Sequence, residues 1–597
     1  MPILAELRVS YEGEPLALLV GPDPDKAREL ARGVEVSIAE EEPFLSYEKF
    51  SSDQIEARKG FERGSPRGFF GRAASSIFEG KYKYASKKPF MASILGAAAS
   101  IQGRKLVIDS PSPWPFHART TVSEFLGIDP GDIVVRATSR PRAEEGPLLE
   151  HSRIAALCAF ASLMTKSSAY IDMSLGESSL WQPREPLMLS RIKTSHLESG
   201  LLAAADIQIT IEVGAYGIFS EELAERACAA ALGPYHCENV RVEVFCVSTN
   251  DLPVDSIRDT CIAGAQLFME THIARYIRSL DLDPIAFREA SMPRGEGDAN
   301  LTRDGRNGFS ALLTEIDRIS AYSRKHASFI LISRSKDRGA LEPRRGIGIS
   351  IAASYEGMLS AKADDESGFS VELEIDKESA LTLRTGIDAE ASGVADLWRR
   401  IASEAMGIEA DAISIPRPST DKCPNSGPAC FGRPRGIITA AIEKGLDLLQ
   451  KQRFRKPLPI KVSIPLAPKK RSPRKPACKA LAVCVLETES DLSQHFPCVK
   501  GCWMTIEAQK DMGSTASTLE SASFHALASA MLDASHEKPG PWLRMPFRAV
   551  INGATFEPWA LSHALILPAY AQALSMALNV DILSLPASHG DSLKVAR

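Results

Sequence analysis

Between residues 381 and 450 the chain spells out a strand, a helix, a short strand, a long loop and a second helix, an order few folds accommodate. Leu381-Thr-Leu-Arg-Thr385 alternates apolar and polar side chains, the period of a half-buried strand. After Gly386 the chain turns. Leu397, Trp398, Ile401, Ala402, Ala405 and Met406 then recur at three- and four-residue steps, which puts them on one helical face. Gly407 supplies a C-terminal stop for that helix. Ala412-Ile-Ser-Ile415 reads as a short strand, residues 419–433 as a loop holding Pro, Gly and Asn, and 437–450 as a helix.

With 597 residues the chain is too long for one ordinary core, and two to four domains are expected. Its 44% hydrophobic and 24% charged residues are those of a globular protein. A formal charge of -5 gives no electrostatic case for a nucleic-acid partner. No apolar run approaches the ~18–20 residues of a membrane span, and the first residues lack the pattern of a signal peptide. A cytoplasmic location without membrane contact is expected. None of the eleven cysteines forms Cys-x-x-Cys, so a zinc ribbon, a cysteine-held iron–sulfur cluster or any other protein-ligated metal has no support. Free, partly buried thiols are expected instead.

Gly393, Ile401, Ala402, Glu404, Gly407 and Ile408, followed by Thr420, Asp421, Pro424, Asn425, Gly427, Pro428 and Arg433, resemble the large molybdopterin-binding subunit of the molybdenum hydroxylases, the xanthine dehydrogenase and aldehyde oxidase family. That family carries a Gly-Gln-Gly turn, a Thr and Gln-Ile-Ala-Ala-Glu-x-Leu-Gly-Ile, then Asp-Thr-Asp-x-x-Pro-Asn-x-Gly-Pro and Ala-Ser-Arg. Here Ala391 and Ser392 stand for the first Gly-Gln, Asp396 for the Thr, Arg400 for the second Gln, and Gly432 for the Ser before Arg433. Earlier, Val9-Ser-Tyr-Glu-Gly-Glu-Pro-Leu-Ala17 resembles the family's Val-Arg-Tyr-x-Gly-Glu-Pro-Val-Ala, followed by a helix over 25–32 and a strand over 34–39. The family places this pattern in the second half of a small α/β domain, so the first half is expected to be missing or supplied by another chain. Residues 40–69 read as a connecting loop.

Strands over 78–84, 106–110, 133–137, 204–216 and 240–248 and a buried helix over 151–164 continue the resemblance. Thr249-Asn-Asp-Leu-Pro253 and Arg258 match Thr-Asn-x-x-Pro and the arginine of Arg-Gly-Phe-Gly. The family's glycine-rich turn after Ala137 is replaced by the charged loop 138–146, its Gln-x-His motif keeps only Met91, and the family glutamine falls at Gly264. Further elements are a helix over 311–326, strands over 346–352, 480–486 and 503–508, and helices over 518–532 and 567–578. The basic stretch 469–475 reads as a solvated linker, and no internal repeat stands out.

The resemblance implies an α+β fold: a truncated small α/β (hammerhead-like) domain over 1–66, a first molybdopterin-binding-type half over 70–292, a linker over 293–310 and a second half over 311–597. It implies Arg258, Gly393, Asn425, Gly427 and Arg433 as cofactor-binding residues. Glu557, in Gly553-Ala-Thr-Phe-Glu-Pro-Trp559, is the candidate general base. One reading is an oxidoreductase hydroxylating an aldehyde or N-heterocycle with molybdenum–molybdopterin, its electrons passing to separate iron–sulfur and FAD subunits, since neither group has a motif here. A second is a silent scaffold paired with an intact homologous subunit, or a homodimer. A third is binding of a different small ligand in the old cleft.

Overall fold

The computed structural model describes the chain except residues 73–76, 86–94, 139–146, 182, 256–258, 293–304, 335–343, 356, 361–367, 467–477, 491–497, 509–515, 532–545, 553–557 and 588–597. The architecture is mixed α/β with four mixed sheets. After helix α1 (Pro24–Arg32), strand β1 (Ile55–Arg63) and α2 (Pro66–Arg72), one series of elements is built twice.

In the first series, β2 (Ile77–Tyr84) leads into a small sheet of β3 (Gly96–Gln102), β4 (Lys105–Ser110), α3 (Pro115–Leu126), β5 (Ile133–Ala137), α4 (Glu150–Thr165) and β6 (Ala169–Asp172). The short α5 (Leu175–Trp181), then β7 (Leu187–His196), β8 (Leu202–Gly214), α6 (Ser220–Ala230), β9 (Asn239–Ser248) and α7 (Thr260–Ser279) return to the large sheet. Helices α8 (Pro284–Ala290), α9 (Gly305–Ser320) and α10 (Tyr322–Arg334) connect to the second series. There β10 (Arg344–Tyr355) leads into β11 (Ser370–Ile375), β12 (Leu381–Arg384), α11 (Ala395–Met406), β13 (Ile413–Ser414), α12 (Thr439–Arg453) and β14 (Ile460–Pro465). The large sheet resumes with β15 (Cys478–Ser490), β16 (Cys498–Ala508), α13 (Ala516–Met531), β17 (Phe547–Asn552), α14 (Pro558–Leu578) and β18 (Ser584–Leu585).

The two small sheets run β5-β4-β3-β6 and β13-β12-β11-β14, with the same parallel and antiparallel pairings. The large sheets share β2-β7-β8-β9 and β10-β15-β16-β17 in the same sense. A trace survives in sequence: Gly127-Ile-Asp-Pro-Gly-Asp-Ile133 and Gly407-Ile-Glu-Ala-Asp-Ala-Ile413 both end a helix with a left-handed glycine (φ 66° and 65°) and enter a parallel strand through one 3-10 turn. The repeat is thus one of topology, which periodicity alone does not reveal.

The halves join along the free edge of β10. Gln266 Nε2 donates to the Ala353 carbonyl (2.7 Å) and its Oε1 accepts from Ala353 N–H (3.1 Å). One turn on, Glu270 accepts from Ile351 N–H (3.3 Å), while Arg288 donates to the Ile349 carbonyl (3.1 Å) and pairs with Glu270 (3.0 Å). Side chains of the first half thereby pair an edge that would otherwise be buried with unmet donors and acceptors. On the face of the same strand, α14 lies almost on the backbone. A methyl at Gly346 or Gly348 would collide with the Ala573 or Ala569 carbonyl.

Inside the first half, a chain of neutral groups crosses the core. His196 Nδ1 lies 3.1 Å from the Gly200 carbonyl and must donate there, so its Nε2 accepts from Thr194 (2.9 Å). Thr194 then accepts from His272 Nε2 (2.8 Å), whose Nδ1 accepts from the Tyr82 hydroxyl (2.8 Å). Burial pushes the pKa of His196 down to about 4 and that of His272 to about 3.

Most expected elements are present, but several differ. Residues 55–63, read as loop, form β1, the edge of the six-stranded sheet, because only Ala57 of its side chains is buried and the polar pattern hid it. Residues 34–39 make no strand; they have no neighbouring strand to pair with among the described residues. Helix α9 starts at Gly305, inside the stretch read as linker, and the single helix over 311–326 is broken at Ala321, where φ is 54°. One helical window, Leu561–Leu578, is long and apolar enough for a membrane span, against the expectation of none; 83% of it is buried in the core. The basic stretch 469–475 lies outside the described residues.

Gly348→Ala should lower unfolding stability by about 1–3 kcal/mol through overpacking, whereas Gly71→Ala, with open space around it, should not; urea unfolding measures both. Histidines held neutral stabilise the fold fully above about pH 6.5, their unfolded value, and the contribution is lost as pH falls toward the folded values. Glu150 and Asp255, whose pKa values burial raises to about 7 and about 6, titrate with the opposite sign. The comparison is therefore with His272→Gln: its stability change from pH 7 to pH 5 should carry about 2 kcal/mol less acid destabilisation than the parent's.

Candidate functional site

Among the described residues, loops from both halves meet beside the junction. The loop before α12 does most to shape it. Arg136 and Ser419 form an antiparallel bridge, Thr420 N–H donates to the Val135 carbonyl (3.0 Å) and Ala137 N–H to that of Pro418 (2.9 Å). This segment thus extends the small sheet of the first half and carries Thr420 and Asp421 onto it. Thr420 Oγ1 also accepts from Val135 N–H at 3.0 Å.

Four of the expected cofactor residues come together here. Arg433 is fully buried, lies over the Phe369 ring and donates to the carbonyls of Ser426 (2.8 Å) and Pro428 (3.1 Å). Asn425 Oδ1 accepts from Gly427 N–H (3.0 Å), which tightens the turn. Gly427 has φ 74°, and a methyl there would meet Arg433 at 2.6 Å and Phe369 at 2.7 Å. Gly393, φ 63°, offers its carbonyl to Arg435 (3.1 Å). Each of the four therefore has a role inside the loop cluster. Arg258 and Glu557, with Phe556, Met91 and 139–146, lie outside the described residues; in sequence Arg258 stands just before Asp259, the N-cap of α7, and Glu557 just before α14, equivalent places in the two halves.

Residues not singled out from sequence complete the junction. Asp255, buried, accepts from the N–H groups of Leu148 (3.0 Å), Leu149 (2.7 Å) and Glu150 (3.0 Å) at the start of α4. Burial raises its carboxyl to about 6 against the pull of those amides and of Arg153. Arg226 pairs with Glu222 (3.1 Å) and Asp259, donates to the Tyr355 carbonyl (2.9 Å) and Gly357 carbonyl (2.6 Å), and stacks over Phe431 at 4.5 Å. Leu148, Cys430 and Phe431 form an apolar cluster with Trp114, Leu149, Phe219 and Met358. Asp255 was out of reach of motif reading because the amides it caps lie more than a hundred residues upstream; Arg226 had one signal, its four-residue spacing from Glu222.

A pterin phosphate needs unpaired backbone N–H groups and the space that glycines leave. Among the described residues those amides at α4 are taken by Asp255, and the space at Gly427 is taken by Arg433 and Phe369. At Gly264, where the family has glutamine, a side chain would run into Met188 at 2.5 Å. Asp396, in the family's threonine position, is 88% exposed and pairs with Arg399. At these places the described residues offer a phosphate neither unpaired amides nor open space. Trp114 Nε1, Arg119 Nε and Ser392 Oγ are buried there without a hydrogen-bond partner. Ten described cysteines are free, Cys484 and Cys502 lying 3.8 Å apart, and no metal-holding cluster occurs among the described residues.

Comparison with known proteins agrees with this architecture. Models of the molybdopterin cofactor-binding domain match residues 48–292 and 329–455. A probable xanthine dehydrogenase subunit of Bacillus subtilis (strain 168) is 24% identical over 457 residues, covering 74% of this chain and 59% of that protein, so the likeness spans less than two thirds of the relative. Among solved structures, the aldehyde oxidoreductase of Desulfovibrio gigas superposes with a TM-score of 0.79 at 18% identity, over 99% of this chain and 70% of that one. The CO dehydrogenase of Oligotropha carboxidovorans gives 0.81 at 15% identity, over 98% and 86%. With the fold, both domain matches and the loop order in agreement, the chain belongs to the molybdenum hydroxylase large subunits as a distant relative of the xanthine dehydrogenases and aldehyde oxidoreductases.

Proposed function

We propose that this chain is a large-subunit scaffold of a molybdenum-hydroxylase-type oxidoreductase assembly and does not itself hold the molybdenum cofactor. The observation that carries this reading is Asp255: a carboxylate of the chain occupies three amides at the start of α4, the kind of donor set a phosphate binds. A phosphate brought to these amides would have to displace that internal anion and leave a buried carboxylate without its hydrogen bonds. Each hydrogen bond to a charged group is worth about 1.5–3 kcal/mol. The partner is an intact homologous subunit, or iron–sulfur and FAD subunits; the Bacillus relative, itself named as a subunit, supports an assembly.

The second reading is an active hydroxylase acting on an aldehyde or N-heterocycle. It is favoured by the unpartnered Trp114 Nε1, Arg119 Nε and Ser392 Oγ, which a bound group could satisfy. When bound, molybdenum–molybdopterin supplies the two-electron redox chemistry.

Metal analysis separates the two. The chain, purified with its partners from cells that load an intact homologue, should contain no molybdenum and release no pterin. Near-stoichiometric molybdenum would refute the scaffold reading. In a loaded sample, Glu557→Gln should abolish turnover while leaving the metal content unchanged; retained turnover would remove Glu557 from the chemistry.

A further inference from the structure

Within the first 50 residues, two extended segments present apolar side chains beside an acidic run, and nothing among the described residues covers those side chains. Among the described residues, 23 large apolar side chains are exposed, and ten of them lie between Leu7 and Leu45. They fall largely on two extended segments flanking α1. Leu16, Leu19 and Val20 are 38%, 44% and 48% exposed, and Val34, Val36 and Ile38 are 53%, 55% and 59% exposed. Helix α1 buries none of its own side chains and reaches the rest of the chain through Arg28, which donates to the Asp172 carbonyl (2.8 Å) and meets Glu177.

The backbone is as unpartnered as the side chains. Among the described residues, 16–20 and 35–38 make no backbone hydrogen bond. Val34-Glu-Val-Ser-Ile38 alternates apolar and polar residues and is rich in β-branched side chains, the composition of a strand with one face meant for burial. An exposed extended segment of this kind is a template for another chain's strand.

Charge selects the occupant. The first 50 residues hold eleven acidic against five basic side chains, with Glu40-Glu41-Glu42 following directly on the second segment. The whole chain is only -5, so its net charge is concentrated here. A second copy would bring the same acidic excess to the contact, and like charges across an interface oppose association.

We propose that residues 16–20 and 34–38 are the docking edge for a different, net-basic polypeptide that adds alternating apolar strands to them. The proposal rests on the assembly reading above and names the chemistry of the partner: main-chain pairing with the two segments, apolar side chains against Val34, Val36 and Ile38, and Lys or Arg against Glu40–Glu42.

The test uses the full chain, tagged at its C-terminus in its own cells, purified at low salt and compared with the isolated chain by amide hydrogen exchange. In the complex, amides of 16–20 and 35–38 should exchange at least about tenfold more slowly. Val36→Glu with Ile38→Glu should release the bound polypeptide while leaving the melting temperature of the isolated chain unchanged, since both side chains are exposed. Reversing Glu40, Glu41 and Glu42 to Lys should weaken the complex and flatten its salt dependence. The proposal is overturned by a complex whose amides here exchange as in the isolated chain, by a chain that purifies with no second polypeptide, or by self-association that protects these amides. Molybdenum measured on the same sample reports on the scaffold reading alone: a loaded sample with protected amides sinks that reading and keeps the docking edge, and an unloaded sample with unprotected amides does the reverse.

Discussion

The free edge of β10 is the constraint on which the arrangement of the two halves depends. Every second residue along a buried edge presents a donor and an acceptor, and each one left unmet costs about 1–3 kcal/mol. Here Gln266 and Glu270, one turn apart on α7, together with Arg288 and Arg226, meet those groups at residues 349, 351, 353 and 355. Such an arrangement works only in one register, because a slide of one residue would turn these N–H and C=O groups away from the side chains that meet them. Arg226 adds a charge constraint. Its guanidinium, fully buried, is balanced by Glu222 and Asp259 and capped by the Phe431 ring. Removing one partner of a buried set leaves an uncompensated charge, a loss of about 3–5 kcal/mol, so the junction tolerates replacement in concert better than piecemeal.

This rigidity lets the frame persist while the loops above it change. The two halves repeat one topology, yet share little sequence beyond the glycine-ended helices at Gly127 and Gly407. What the repeat preserves is where loops emerge. Those after β4, β5, β9, β12, β13 and β17 are free to change provided the strands below keep their pairing. Arg433 and Asn425 illustrate the division: both retain the family's residue type, and both hold the loop's own carbonyls and amides. A residue type kept for the loop's own geometry says little about whether a ligand still binds.

The strands and helices with strong periodicity were legible from sequence: α4, α11, β5, β9 and the core of β10 lie where their patterns put them. What failed did so for identifiable reasons. Strand β1 carries charges on both faces, because one face is solvent and the other is only partly covered, so no alternation marked it. Residues 34–39 had the alternation and no neighbour, and strand structure requires both. The structure brings Gly393, Gly427 and Arg433 into one loop cluster, but the motif did not show which way each faces; whether Gly427 faces a ligand or Phe369 depends on a side chain 58 positions away in sequence. Asp255 and Arg226 form their decisive bonds across more than a hundred residues, where spacing rules have no reach.

Asp255 also gives a physical reason why, in the proposed scaffold, the loss of cofactor donors is self-consistent. Three amides at the start of a helix carry a partial positive charge that must be answered. A phosphate brought to them would answer them from outside and would be repelled by an acid at position 255. Without one, the same amides are buried donors lacking partners, and a carboxylate on the neighbouring loop meets all three at 2.7–3.0 Å. The two states exclude each other at a single position. Burial raises the carboxyl's pKa to about 6 even with those bonds in place, so the amides and Arg153 together hold the charge there against its own desolvation. A carboxylate that costly in water-free surroundings is held there because the buried helix end presents donors that need an acceptor.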